Sequence, residues 1–186
     1  MALIAAGLDF STLGMEGVNL AVCTTVNTLV NPEYPAAPLQ LGTKTLATDN
    51  SGYILCQTAG AYVIGSVGFI SNDGTWTFTA LTTSNATASG DAVGVMSQCA
   101  SVTATPSTTL YDCVWVQVSG AVAGIRLAGT TAINVVLYTT TSAGVLNSVS
   151  ASGAVLVTGI VATTSAAGAV TINEPGVMLF PQLAFT

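Results

Sequence analysis

The sequence predicts an all-β fold, an antiparallel sandwich or barrel of short strands with an extended N-terminal arm. Three observations carry that expectation. Apolar segments of strand length recur roughly every 8–12 residues, separated by clusters of Gly, Asp, Asn and Ser. Hydrophobic residues make up 51% of the chain but aromatics only 6%, so the apolar mass is mostly Ala and Val interleaved with Thr, Ser and Gly. That mixture suits pleated sheets, where β-branched side chains pack well and glycine marks turns. No ten-residue window keeps a helical period free of β-branched residues and glycine, which leaves room for one short helix in the arm at most.

Residues 1–37 read as an arm and Pro-rich linker, and residues 38–186 as the β domain. In the arm, Leu3, Ile4, Leu8, Phe10 and Leu13 are apolar, while Gly7, Gly14 and Gly17 interrupt any helix. The stretch NPEYPAAP (31–38) holds three of the six prolines and fits neither regular helix nor central strand. Two readings stay open here, a frayed terminus with its linker, or an extended arm lying on a partner through those apolar side chains.

From residue 39 onward, strands and turns alternate. LGTKTLAT runs into the turn cluster DNSGY, and YILCQ follows. AYVIGSVGFI and TWTFTALT flank SNDG, whose Asp73-Gly74 step is a strong hairpin signal. AVGVMSQCA leads through the loop SVTATPSTT to YDCVWVQVSG and AVAGIRLAG. There Val114, Val116 and Val118 alternate with Trp115 and Gln117, a period of two. Trp115 is expected in the core, and Gly120 marks a turn or bend between two central strands. NVVLYTT, AVLVTGIVATT and AVTIN complete the series, with breaks at TSAGVLNS and TSAAG.

Composition excludes several function classes. Charged residues are 5% of the chain, against about 25% in ordinary soluble domains. Lys44 and Arg126 are the only cations and the net charge is −6, so no basic patch for nucleic acid can form in a monomer. No stretch reads as a membrane span, since Thr, Ser and Gly interrupt even the uncharged run from Leu127 to Asn173. The N-terminal stretch lacks the basic region of a signal peptide, so a soluble protein, not secreted by the usual route, is expected. So little charge does little to oppose self-association, which favours an oligomer or assembly component.

Catalytic and ligand chemistry is thinly supplied. There is no histidine, hence no ordinary general base, imidazole metal ligand or triad partner. The eight acids, Asp9, Glu16, Glu33, Asp49, Asp73, Asp91, Asp112 and Glu174, are scattered, and several sit in turn-like contexts (TDNSG, SNDG, SGDA, NEPG). There a carboxylate caps its own backbone more often than it catalyses. Cys23, Cys56, Cys99 and Cys113 show no CxxC spacing; three pairings are open, and reduced, buried thiols are the default expectation. Asn85-Ala86-Thr87 is a formal glycosylation sequon of the kind a Thr-rich chain produces by chance. No catalytic, metal or cofactor site is expected. Arg126 has two readings: a solvent-facing strand residue, or a partner for a carboxylate across an assembly contact, which its forked guanidinium suits.

Four stretches carry a resemblance. In order they are LGTKTLATDNSGYILCQTAGAYVIGSVGFI, ALTTSNATASGDAVGVMSQCA, VWVQVSGAVAGIRLAG and LYTTTSAGVLNSVSASGAVLVTGIVATTSAAG. In their order and spacing, from Leu39 to Pro181, they resemble the head decoration (cement) proteins of tailed bacteriophages. Four cysteines exceed that pattern, and the first 37 residues have no counterpart in it. The resemblance implies a non-enzymatic virion protein, made in the host cytoplasm and bound to the outer capsid surface. Its implied partners are the major capsid protein and itself, often as a homotrimer. Other readings are a head-fibre base or tail-associated module and, more remotely, an acid-dependent hydrolase or carbohydrate-binding module. Deleting residues 1–30 is expected to leave a folded β domain, by circular dichroism, with weakened oligomer or capsid binding. An unfolded product instead makes this segment part of the core.

Overall fold

The computed structural model describes residues 24–25, 41–47, 49–58, 60, 62–71, 73–86, 92–97, 112–165 and 172–184, with backbone alone at 24–25, 112–113 and most of 172–184. Among these residues there is no helix. The strands are β1 (Thr24–Thr25), β2 (Lys44–Leu46), β3 (Gly52–Thr58), β4 (Val67–Ile70), β5 (Thr77–Ala80), β6 (Ala92–Val95), β7 (Asp112–Leu127), β8 (Leu137–Thr139), β9 (Leu146–Asn147), β10 (Leu156–Ala162) and β11 (Ile172–Ala184). The all-β fold expected from the sequence is the one observed, and it is closed as a barrel.

The sheet closes into two five-stranded rings around one strand, and a further pair, Gln182 with Ala92, joins β11 to β6 between them. β7 pairs with β3, β3 with β5, β5 with β4, β4 with β6, and β6 returns to β7. β7 also pairs with β11, β11 with β10, β10 with β8, β8 with β9, and β9 returns to β7. Two five-stranded rings thus share β7, with β2 added beside β3 and β1 beside the start of β7. β1 falls within the stretch read as an arm. Pairing is antiparallel except for β3–β5, where β4 is the crossover, and β7–β9. Each ring is sealed back to β7 by a single residue pair, Val95 with Gln117 and Leu127 with Leu146.

β7 is one strand of 16 residues, not the two strands expected. Its first half lies in register with β3 from Gln57↔Cys113 to Gly52↔Ser119; its second half lies with β11 from Leu179↔Ser119 to Ile172↔Leu127. Ser119 is the hand-over point, and the chain bends at the next residue without turning back. Gly120 has φ +95°, a conformation that L side chains rarely adopt, and a Cβ there would meet Ser51 Oγ at 2.4 Å and Ser51 Cα at 2.8 Å. The bend is braced from inside by Gln117, which is 1% exposed. Its Nε2 donates to the carbonyls of Ser119 (3.1 Å) and Ala121 (2.8 Å), on either side of the glycine, while Tyr53 Oη donates to its Oε1 at 3.3 Å. A buried amide with both its hydrogen-bonding ends engaged is stabilising, whereas the same amide left open would be costly.

Two apolar clusters fill the rings. Ile54, Cys56, Ile70, Phe78, Met96, Val114, Val116 and Val118 belong to the first, with Tyr62 edge-on to Phe78 at a centroid distance of 5.3 Å. Val122, Ile125, Leu127, Leu137, Leu146, Val157, Ile160 and Met178 belong to the second, joined by Val67, Val93 and Val95. The β4–β6 pair therefore serves both cores: Val67, Val93 and Val95 face the second, Ile70 the first. On its first-core face two glycines lie in register, Gly68 with Gly94. A Cβ at Gly68 would sit 2.5 Å from Phe78 Cε2, and one at Gly94 would sit 2.4 Å from Val116 Cγ1 and 2.9 Å from the Gln117 carbonyl. The bare backbone lets Phe78 and Val116 lie directly on this wall.

The hairpin expected at Asp73-Gly74 joins β4 and β5, with Ile70 opposite Phe78. Pro175 and Pro181, which break a central ladder, sit where the ladder skips. The β7–β11 register shifts between Glu174 and Gly176, and the β10–β11 register shifts at Gly159, passing over Leu179–Pro181. The NEPG stretch read as a turn is thus a bulge within β11.

Adding a methyl group to the shared wall tests this packing. Gly94→Ala is expected to destabilise the protein by about 2–3 kcal/mol in urea unfolding. Combining it with Val116→Ala should show a favourable coupling of about 1 kcal/mol, because Val116 Cγ1 is the nearer obstacle. Strictly additive losses would contradict the contact.

Candidate interaction surface

Among the described residues, the outward-facing side chains are the ones available to a partner. Among the described residues six large apolar side chains stand exposed: Leu46, Val63, Ile64, Ile133, Val136 and Val149. They fall into two groups.

The first group is Val63 and Ile64 beside Arg126, with Leu46 apart from them on β2. Ile125 and Leu127 on either side of it are fully buried in the second core, so strand alternation turns the Arg126 side chain outward, where it is half-buried. Its backbone N–H donates to the Gly65 carbonyl at 3.0 Å, which seats the Val63–Ile64 turn beside it. Among the described residues, nothing forms an ion pair or hydrogen bond with its guanidinium. On β2, Lys44 and Leu46 are two residues apart on one face and both exposed, while Thr45 between them is buried. Arg126 thus has the exposed Val63 and Ile64 beside it, while Lys44 and Leu46 share a face of β2, next to β3 and the first half of β7.

The second group lies at one end of the second ring, where β7 and β9 finish and β8 begins. The Asn134 N–H donates to the Ala162 carbonyl at 3.0 Å, the Ala128 N–H to the Leu146 carbonyl at 2.8 Å, and Ser148 Oγ to the Thr130 carbonyl at 3.3 Å. These bonds draw the segments carrying Ile133, Val136 and Val149 together. Val136 immediately precedes β8 and Val149 follows β9 by two residues, so the antiparallel register Tyr138↔Asn147, continued outward, sets them opposite one another.

The acids whose side chains are described serve their own turns. Asp49 Oδ1 accepts from the Ser51 N–H at 2.9 Å; Asp73 Oδ1 accepts from the Thr75 hydroxyl at 2.6 Å and the Thr75 N–H at 2.9 Å. The Thr75 hydroxyl, then its N–H, holds the Asp73 carboxyl below the ordinary carboxylate value. Among the described residues no three of His, Cys, Asp and Glu gather as a metal site would require. The Asn85 amide is engaged at both ends, accepting from the Thr82 N–H (2.7 Å) and donating to the Ala80 carbonyl (2.8 Å). Cys56 is fully buried, with Sγ 3.7 Å from the Ile54 carbonyl. Trp115 is 3% exposed, as a core residue should be.

Of the interface residues read from the sequence, Arg126 is the one placed; Leu3, Ile4, Leu8 and Phe10 lie outside the described residues, as do Cys23 and Cys99. The exposed aliphatic residues were not singled out from the sequence, because exposure within a Val- and Ile-rich chain depends on which strands the rings enclose. No family model matches the sequence, and no curated protein matches it either.

If Arg126 meets a carboxylate across an assembly contact, Arg126→Ala is expected to weaken that contact by about tenfold, in the range for truncating a contact arginine. Its stability to urea should change by less than about 1 kcal/mol, since the side chain is half-exposed and unpaired among described residues. Equal losses in assembly and stability would assign the residue to the fold.

Proposed function

We propose that the protein is a structural, non-enzymatic component that decorates the outside of an assembled tailed-phage head, binding the major capsid protein and stabilising the shell. The observation that carries this reading is the surface. Among the described residues six large aliphatic side chains are exposed, on a chain with two cations and eight acids, so shape and apolar area are what it can offer a partner. The doubly closed sheet supports it, because closure leaves few free strand edges and gives a rigid body on which such a surface holds its shape. The resemblance of the segments between Leu39 and Pro181 to decoration proteins supplies the class of partner. In this reading the protein assembles with itself, as a trimer at threefold positions of the shell, and the repeated copies reinforce weak individual contacts through effective concentration.

The test is addition of purified protein to bare, expanded heads. It should co-sediment with them, and decorated heads should break at a temperature several degrees above bare ones. Failure to bind, or binding with unchanged thermal stability of the particle, would sink the cement role.

A further inference from the structure

We infer that β1 is exchanged between copies of this chain, Thr24–Thr25 of one copy pairing with Asp112–Cys113 of the next. The inference rests on the self-association in the proposed function and names a contact that makes it. Cys113 lies opposite Thr24 on one edge of β7 and opposite Gln57 of β3 on the other. β1 is therefore an outer strand, and its antiparallel pairing with β7 has the same form whichever copy supplies it.

The length of chain between β1 and β2 decides which copy that is. Tyr53 and Ile54 pair with β2 on one side and with β7 on the other, so the four strands lie in the order β1–β7–β3–β2. Three strand spacings separate β1 from β2, a gap of about 15 Å. Fifteen residues, 26–40, connect Thr25 to Leu41. Among them NPEYPAAP places prolines at 32, 35 and 38, every third residue. Proline fixes its own φ and disfavours helical backbone in the residue before it. The sequence thereby restricts Asn31, Tyr34 and Ala37, as well as the three prolines, to extended backbone. Prolines spaced by three match the threefold turn of polyproline II, whose rise carries eight residues about 25 Å. Such a spacer overshoots the gap inside one copy. To reach its own β7 the arm has to double back within the seven residues that remain, whereas reaching the β7 of a neighbour uses the spacer at its full length. A two-residue pairing is weak taken singly. In a closed ring every copy gives one arm and receives one, and the contacts reinforce each other through effective concentration.

The experiment uses the full-length protein without any shell. Residues directly opposite on antiparallel strands have Cα atoms about 4.5–5.5 Å apart, a separation that a disulfide spans. Thr24→Cys, in a background of Cys23→Ser and Cys99→Ser, should therefore join to Cys113 when oxidised by dissolved oxygen with copper-phenanthroline. Denaturing electrophoresis without reductant should show covalent multimers, which vanish on reduction and are absent when Cys113→Ser is added. A bond confined within single chains, or no bond at all, overturns the inference. A second variant keeps the test open if the cysteine variant fails to fold. Pro32→Ser/Pro35→Ser/Pro38→Ser relaxes the spacer and lets the arm return to its own copy. It should keep the far-ultraviolet circular dichroism of the wild type and weaken the oligomer by about tenfold or more in sedimentation equilibrium. An oligomer of unchanged strength in that variant also overturns the inference. Cross-linking only within chains, in protein that still binds heads, defeats this inference alone; cross-linking between chains, in protein that ignores heads, defeats the shell reading alone.

Discussion

Every closed circuit of hydrogen bonds in this protein passes through β7. A strand that belongs to two rings must satisfy both curvatures, and a straight ribbon of 16 residues cannot. The conflict is resolved at Gly120, where a positive φ takes up the change of direction. Ser119 immediately before it holds register with β3 on behalf of one ring and β11 on behalf of the other. The bend turns the carbonyls of Ser119 and Ala121 toward the buried Gln117 amide, which donates to both from within the same strand. Tyr53 then ties that amide to β3. The bend is thus held by a polar network inside an otherwise apolar interior, which fixes its angle where packing alone would allow variation.

The second constraint is economy of wall. The one layer of sheet between the two cores presents valines to one, and Ile70 beside two glycines to the other. The β4–β6 pair does this with valines on one face and Gly68 opposite Gly94 on the other. The missing side chains are replaced by Phe78 and Val116 reaching across from neighbouring strands. Close packing of this kind leaves no slack, so the two rings are mechanically coupled through the wall as well as through β7.

How far the sequence revealed this depended on whether each signal was local. The β4–β5 hairpin was legible because Asp73 and Gly74 encode their own turn chemistry, and Trp115 was legible as core from strand alternation. β9 was read as a break because two residues, Leu146 and Asn147, carry no pattern of their own and become a strand only by pairing with β8 and β7. β11 was cut short at Pro175, since a proline reads as a terminator unless the partner strand shifts register to accommodate it. The role of Gln117 was invisible because its partner Tyr53 lies 64 residues away in sequence. For the candidate surface, the outward place of Arg126 followed from alternation, while its neighbours Val63 and Ile64 arrive only through a turn closing onto β7 from far earlier in the chain. The charge-free run was plain in the composition, yet its gathering into one end depends on bonds such as Asn134 to Ala162.

The order of the strands along the chain has a consequence for how the protein is made. The first ring consists of β3 to β7 and the second of β7 to β11, each an uninterrupted stretch, with β7 last in one and first in the other. A chain emerging from the ribosome has every strand of the first ring once Leu127 is out, while the second ring still lacks its remaining strands. The nascent first ring thereby presents the finished half of β7 as a template, and the second ring is laid down against its projecting half. The final seam cannot be completed until β11 has been released.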